Sequence, residues 1–326
     1  MRDYIAINKN IPQWKGCVHM HTVRSGDSKC PYAEALDEYR KKGFDFCVMT
    51  DHQVYWNSDE MDKEDFLVLS GVEIAFDFNL DHPYTLNRRQ EKHLHLNLIW
   101  DVTKGECGFQ HGEVIKRPMD WGIDSWNQFI EEVKEKNQIV ILNHPNWSHM
   151  DFELILALHG CLAFEVWNSG SVLDVGGYPD DAVWDYCLSR GKRIRAVAGD
   201  DTHNYGEEFG ICGSSATIVC TENFSKAGIV EALKEGRFYP TTGPKIYDLR
   251  IVDGTLHLEC SPASVITIVG GNGFGRSYYA KNGDYLNELD WQVNSNLNYF
   301  RIRVTDQFGK TAWSQPIMMQ DLLVGS

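Results

Sequence analysis

The chain has 326 residues, with 31 Lys and Arg against 46 Asp and Glu and hence a formal charge of −15; the length suits about two domains, or one large barrel with an appendage. Its 43% hydrophobic and 24% charged content excludes a disordered chain. The acidic surplus argues against a nucleic-acid backbone or an anionic membrane as main partner, and no apolar run approaches the ~18 residues of a membrane span.

A strand is expected over 16–21, then a helix over 31–43 with Pro31 in its first turn and Gly43 as its stop. Strands over 44–50, 66–74 and 93–100 precede a helix over 124–137, with Asp124 or Ser125 as its cap. Trp126, Phe129, Ile130 and Val133 share one face of that helix. Next come a strand over 138–143, a helix over 152–158, a strand over 161–167 and a helix over 181–190. Strands over 193–199 and 215–220 and a helix over 225–235 close the series. Strands separated by single helices predict a parallel sheet, and this many suggest a barrel. After residue 244 the helical period stops. Short strands follow over 247–252, 255–260, 264–269 and 299–304, with Asp253-Gly254 as a hairpin turn. The expected division is therefore a barrel over 1–243 and a small antiparallel β-sandwich-like domain over 244–326.

Histidines and acids gather where expected strands end: His19-x-His21, Thr50-Asp51-His52, Gly71-Val-Glu73, His93-Leu-His95, Asn143-His144-Pro145, Glu165 and Asp200-Asp201-Thr-His203. Parallel barrels carry their chemistry at the C-terminal ends of strands, so these groups should meet at one mouth. Each signal alone is weak; a lone HxH is more often chance, and a lone Asp-His is often a turn cap. Strand ends that repeat one habit point to a metal site, because buried imidazoles need partners. Imidazole and carboxylate without thiolate suit Zn, Mn or Fe.

The ordered motifs resemble those of the PHP (polymerase and histidinol phosphatase) superfamily, over residues 16 to about 243. Gly236-Arg-Phe-Tyr-Pro-Thr-Thr-Gly-Pro244 and the stretch from Val304 to Ile317 resemble its carbaryl-hydrolase-like metallohydrolase branch, which adds a C-terminal β domain. The resemblance implies a distorted (β/α)7 PHP-type barrel holding two or three divalent metal ions. It implies His19, His21 and Asp201 on a first metal, Glu73 bridging to a second held by His95 and His144, and His52 and His203 on a third. The family usually has Ser-Asp-Gly after HxH, whereas Ser25-Gly26-Asp27 stands here, so Asp27 falls one place late for a third-metal ligand. Asp200 is either a support for a ligand or a turn residue.

The implied activity is metal-dependent hydrolysis of a small phosphate ester by a metal-bridging hydroxide, with His203, Asp201 and Arg24 as catalytic candidates. Arg24 either reaches a phosphate as a bidentate donor or is a solvated loop arginine. Asp51 either orients a ligand histidine or caps its turn. Trp56, Trp147 and Trp167 follow metal motifs and are candidate walls for an apolar pocket. The rival readings are carboxylic ester or carbamate hydrolysis on the same site, and a non-catalytic metal-binding module. A small molecule is the expected partner, with no membrane and no nucleic acid beyond short oligonucleotides. The nine cysteines lack a CxxC pair and the start lacks an apolar h-region, so reduced thiols in a cytoplasmic protein are expected. Gly270 to Gly275 mimics a dinucleotide loop, but β-like residues follow where a helix would be needed, so a hairpin is expected. His82, His111, His149, His159 and His257 lack motif company and are read as structural or surface.

Overall fold

The apolar runs and amphipathic stretches of the sequence become strands and helices in a computed structural model that describes residues 1–81, 89–118, 122–206, 210–271, 273–281 and 283–323; His82 lies outside the described residues. The first part comprises β1 (Tyr4–Ile7), β2 (Gln13–Cys17), α1 (Tyr32–Lys41), β3 (Phe46–Met49), β4 (Val54–Tyr55), β5 (Leu67–Asp81), β6 (Arg89–Trp100) and β7 (Glu113–Val114). It continues with α2 (Ile123–Glu135), β8 (Gln138–Leu142), α3 (Phe152–Ala157), β9 (Ala163–Asn168), α4 (Asp181–Ser189), β10 (Arg195–Gly199), β11 (Ala216–Cys220), α5 (Lys226–Glu235) and β12 (Phe238–Thr241). The remainder is β-rich: β13 (Ile246–Val252), β14 (Thr255–Ala263), β15 (Val265–Gly270), β16 (Gly275–Tyr279), β17 (Leu286–Gln292), β18 (Tyr299–Thr305), β19 (Thr311–Trp313), β20 (Ile317–Met318) and a last short helix, α6 (Met319–Leu323).

A 14-stranded mixed sheet runs β10-β9-β8-β6-β5-β3-β2-β11-β12-β19-β18-β15-β16, with β20 beside β18. A second sheet of four antiparallel strands has the order β1-β13-β14-β17. The expected all-parallel sheet is corrected by β6, which opposes both β5 and β8, and by β11, which opposes β2. Among the described residues no helix lies between 67 and 100, and β5 and β6 pair as antiparallel neighbours. Among the described residues no backbone ladder joins β10 to β11. The Thr217 hydroxyl instead accepts from the Ala198 N–H at 3.0 Å and donates to the Ala198 carbonyl at 3.1 Å. Beyond the strands, Met20 and Thr202 form a parallel bridge.

Burial follows the alternation along each strand. Phe46 and Val48 of β3 join one apolar cluster with Val18, Leu69, Ile99, Ile141, Ala163 and Val197, so β3, β5, β6, β8, β9, β10 and the chain just after β2 all contribute. Cys47 and Met49 point the other way, into the cluster that extends to the C-terminal strands. The apolar stripe of α2 (Trp126, Phe129, Ile130 and Val133) packs on β5, β6 and β8 as its spacing predicts. Its cap is Gly122, without a side-chain bond, rather than Asp124 or Ser125; Asp124 sits in the first turn, where it favours the helix dipole. Ser225 caps α5 by accepting from the Gly228 N–H at 3.0 Å, and Gly236 ends it in the left-handed region.

The C-terminal strands are not set apart from the first part. β12 pairs with β19, and β1, the first strand of the chain, pairs with β13. Asp253 and Gly254, both at positive φ, make the tight β13–β14 turn. Gly270 to Gly275 connects antiparallel β15 and β16. Among the described residues no helix is long and apolar enough to cross a membrane.

Candidate metal centre

β2 delivers the first pair of imidazoles. After Cys17 the chain is held against the segment following β10: Asp201 N–H donates to the His19 carbonyl and His21 N–H to the Thr202 carbonyl, each at 3.0 Å. His19 and His21, two residues apart, face the same side, with their Nε2 atoms 3.1 Å apart. β3 leads into His52, β5 carries Glu73, and β8 and β10 lead into His144 and into Asp201 and His203.

The fourth strand reaches the same place by a different logic. The sequence reading favoured His95 over His93 partly because it lies nearer the C-terminal end of its strand. β6 runs antiparallel, so that end points away from the mouth. In the register, His95 stands opposite Ala75 and His93 opposite Asp77, two residues further out from Glu73. His95 Nδ1 therefore lies 3.2 Å from Glu73 Oε1, while the His93 ring packs against Trp147 at 5.0 Å.

Three donor groups result. In the first, five separations among His19 Nε2, His21 Nε2, Glu73 Oε2 and Asp201 Oδ1 run from 3.0 to 3.4 Å. Donors 2.0–2.1 Å from one ion at tetrahedral corners stand roughly 3.3 Å apart, so this set fits a zinc-sized ion. The second joins Glu73 Oε1 to His95 Nδ1 at 3.2 Å and to His144 Nε2 at 3.5 Å. The third contains His21, Asp27, His52 and His203; Asp27 Oδ2 is 3.1 Å from His52 Nε2 and 3.2 Å from His203 Nε2. Glu73 is the hinge of the arrangement, offering one oxygen to each of the first two groups. His52 Nδ1 is buried 3.1 Å from Glu73 Oε2, yet the angles are not those of a hydrogen bond, leaving the nitrogen without a hydrogen-bond partner. Buried nitrogens facing one another and a carboxylate with too few protons between them suit cations.

The charges agree. Burial would raise the Glu73 carboxyl, but His19, His52 and His95 outweigh it and hold Glu73 well below the usual range. Burial likewise opposes ionisation of Asp201, and His19 and His21 overcome it. In the metal-free protein His19 is raised well above its ordinary value: burial lowers it, and Asp201, Glu165 and Glu73 reverse the sign.

A surrounding layer orients these groups. Glu165 is fully buried; its Oε1 lies 2.8 Å from His19 Nδ1, and its Oε2 accepts from the His144 N–H at 3.0 Å and from Asn168 at 2.8 Å. Such a carboxylate fixes the tautomer and the ring orientation of a ligand histidine. Gly199 makes room for it, because a Cβ there would stand 2.2 Å from Glu165 Oε1. Ser25 Oγ lies 2.7 Å from His21 Nδ1 and accepts from the His52 N–H at 2.9 Å. Asn143 donates to Glu73 Oε1 at 2.7 Å, and Ser148 Oγ lies 3.1 Å from His144 Nδ1. His144 and Asp201 sit at φ of 27° and 52°, strained backbone for non-glycine residues.

Other candidates land elsewhere. Arg24 does not reach the donor groups: its guanidinium is sandwiched between Tyr32 and Trp56, at 4.4 and 4.5 Å from the ring centres, and lines a separate cavity. Trp56 is drawn away with it, and Trp167 packs against Trp313 and donates to Ser169, so only Trp147 of the three lines the mouth. Asp51 accepts from the Thr22 N–H at 2.6 Å and from its hydroxyl, the turn-capping alternative. Asp200 gathers Tyr39, Ser169, Gly213 and Ser215 and supports the loops rather than the donor groups. The sequence reading noted Glu165 only as a strand end, quoted Ser25 and Asn143 within motifs without a role, and did not name Ser148 or Asn168. The spacing of Ser25 and Ser148, each four residues after a site histidine, was the available clue.

The donors open into a cavity of about 470 Å³ whose walls include Trp147, Val175, Ile211, Ala75 and Asp174. Among the described residues no lysine or arginine lines it.

No protein-family model matches the chain, and no curated protein matches it significantly. Two solved structures resemble it in outline. One is a two-domain protein containing a predicted PHP-like metal-dependent phosphoesterase from Bacteroides vulgatus, 15% identical over 92% of each chain with a TM-score of 0.48. The other is an amidohydrolase from Chromobacterium violaceum, with sulfate bound and no metal, 13% identical over 68% of this chain and 96% of that one, with a TM-score of 0.40.

Proposed function

We propose that the chain is a PHP-type metal-dependent hydrolase acting on a small phosphate ester. The observation that carries the reading is Glu73, buried between two groups of imidazoles with one oxygen turned to each. In this reading the seven strands β2, β3, β5, β6, β8, β9 and β10 form a distorted barrel whose ends meet at the Met20–Thr202 bridge. His19, His21, Glu73 and Asp201 would hold one divalent ion, Glu73, His95 and His144 a second, and Asp27, His52 and His203, beside His21, a third. When bound, such ions supply an activated water and positive charge for the ester oxygens. The protein contributes placement: Glu165, Ser25, Ser148 and Asn143 orient the donors, and Trp147, Val175 and Ile211 shield one side from water. Among the described residues no lysine or arginine lines the cavity, so there the charge of a phosphate would be neutralised by the metals.

The apolar residues of the cavity wall, Trp147, Val175 and Ile211, also suit a second reading, cleavage of a neutral carboxylic ester or carbamate. Elemental analysis of the purified protein, then assays on phosphomonoesters, phosphodiesters, aryl esters and carbamates with and without chelator, separates the two. Phosphoester turnover that is lost on chelation and restored by Mn²⁺ or Zn²⁺ is expected. Turnover confined to aryl esters or carbamates would replace the first reading with the second.

A further inference from the structure

A second cavity lies outside the donor groups. It encloses about 770 Å³ between α1 and the segment from Asn57 to Phe66, with Arg24, Tyr32, Phe66 and Leu36 in its wall. Four acids border it; three stand beside lysines, two of them sharing Lys226. Asp37 is 2.7 Å from Lys63, and Asp59 and Asp62 stand 2.9 and 3.0 Å from Lys226. The fourth, Glu60, is exposed at the rim. Arg24 is the cation left over: among the described residues its guanidinium meets no carboxylate, only the Met49 sulfur at 3.8 Å and the faces of Tyr32 and Trp56.

An arginine stacked between two rings is held in one orientation, and apart from the contact of Nη1 with the Met49 sulfur its in-plane N–H fork meets no other acceptor among the described residues. Such a fork answers a planar or tetrahedral oxyanion with two parallel hydrogen bonds, and aromatic and apolar walls answer a flat body behind it. The volume is that of a small-molecule site. We propose that this cavity is a second ligand site, which takes an organic oxyanion, a carboxylate or a phosphorus oxyanion carried on a planar apolar body, with Arg24 as its anchor. Arg24 is adjacent to Ser25, which bonds His21 and His52, and lies on the loop that brings Asp27 to the mouth. An occupant gripped by Arg24 therefore leans on the loop that shapes the third donor group. The proposal does not depend on what the donor groups hydrolyse.

The test is calorimetric titration of the metal-loaded protein with benzoate, phenylphosphonate and acetate, repeated on Arg24→Met and Arg24→Lys. Metal content serves as the check that each variant is folded. Benzoate or phenylphosphonate should bind, acetate should bind more weakly, and Arg24→Met should weaken the aryl anion about tenfold or more, with Arg24→Lys in between. Which of the two aryl anions binds tighter identifies the headgroup. No binding by the unaltered protein, or an affinity that Arg24→Met leaves unchanged, as for an anion sitting on the metals, overturns the proposal. Acetate binding as tightly as benzoate removes the planar body from it.

Discussion

Two buried polar clusters of this molecule are built from similar residues to opposite effect. Where α4 meets the C-terminal strands, Arg301 is fully buried and bonds Asp185 through Nε at 2.9 Å and Nη2 at 2.7 Å, and Asp181 through Nη2 at 2.8 Å. Trp313 and Tyr299 donate to the same two carboxylates, and the guanidinium lies over Trp184. There each negative group meets a cation and a neutral donor. At the mouth, imidazole nitrogens face imidazole nitrogens, one carboxylate serves two groups, and His144 and Asp201 hold strained backbone. The junction pairs both carboxylates with a cation of the chain itself, although Arg301 Nη1 is buried without a hydrogen-bond partner; the mouth gathers carboxylates and imidazoles in an arrangement that suits added cations. That difference separates a structural charge cluster from a functional one more sharply than burial or residue type does.

The largest expected effect falls at the mouth. Glu73→Gln removes charge from two donor groups at once, so elemental analysis should find a greater loss of metal than the roughly 10–100-fold weakening from a supporting residue, and turnover should drop to the chelated background. Full metal content in this variant would refute the shared role of Glu73. Arg301→Met tests the other side of the comparison. Denaturant unfolding should show a loss of about 3 kcal/mol, at the low end for a broken buried pair because Asp181 and Asp185 keep partial exposure. Metal bound per folded molecule should not change. If it does, the two clusters are one system.

The mouth was legible in the sequence because period-two spacing pairs His19 with His21 and because His52, Glu73, His144 and Asp201 follow or end strands that run the same way; His95 reaches it instead through the antiparallel register of β6 against β5. The topology was less so. Local pattern cannot say that β6 opposes β5, since apolar runs read alike in either direction; the pairing register shows it. Arg24 was misplaced for a related reason: loop residues carry no periodicity, and the choice between a phosphate and two aromatic rings was made by tertiary packing. Glu165 stood out only as the end of a strand, and its separation from His19 by 146 residues hid the bond that defines it.

Glu165→Gln should cost less than Glu73→Gln. The amide can still meet His19 Nδ1, but the charge that favours the orienting tautomer is gone, so metal affinity should fall about 10–100-fold. Gly199→Ala should mimic it by pushing Glu165 away. The pH dependence of the metal-free protein comes next. His19, His21 and His203 are raised: burial opposes this, and their carboxylate neighbours outweigh it. Their contribution is complete below about pH 6.5 and is lost as pH rises through the raised values. Glu73 and Asp201 are lowered, so theirs is present above about pH 4 and lost on acidification. Calorimetry should therefore find the metal-free protein most stable between about pH 4.5 and 6.5, with its melting temperature falling above that. Added metal should rescue it more as pH rises, because protons leave the same nitrogens.

The smallest expected effect is at Asp27, and it sharpens the comparison by dividing the mouth itself. Gly26 occupies a φ of 89°, and this turn brings Asp27 to His52 and His203 although it stands one place later than the family pattern has its acid. Unlike Glu73, its side chain is 46% exposed and belongs to one donor group only. Burial opposes ionisation of Asp27, but hydrogen bonds from His203 and His52 hold it far below the usual range, so it is a strong acceptor at the outer edge of the site. Asp27→Asn should therefore release one metal equivalent, or weaken it, while the groups around His19 and His95 keep theirs. Phosphoester turnover should fall, and neutral-ester turnover, which needs less charge neutralisation, should fall less. Equal losses on both substrates with one equivalent gone would assign the third group to holding the site together rather than to receiving a phosphate. Loss of every equivalent would mean that the three groups bind as a single cooperative cluster.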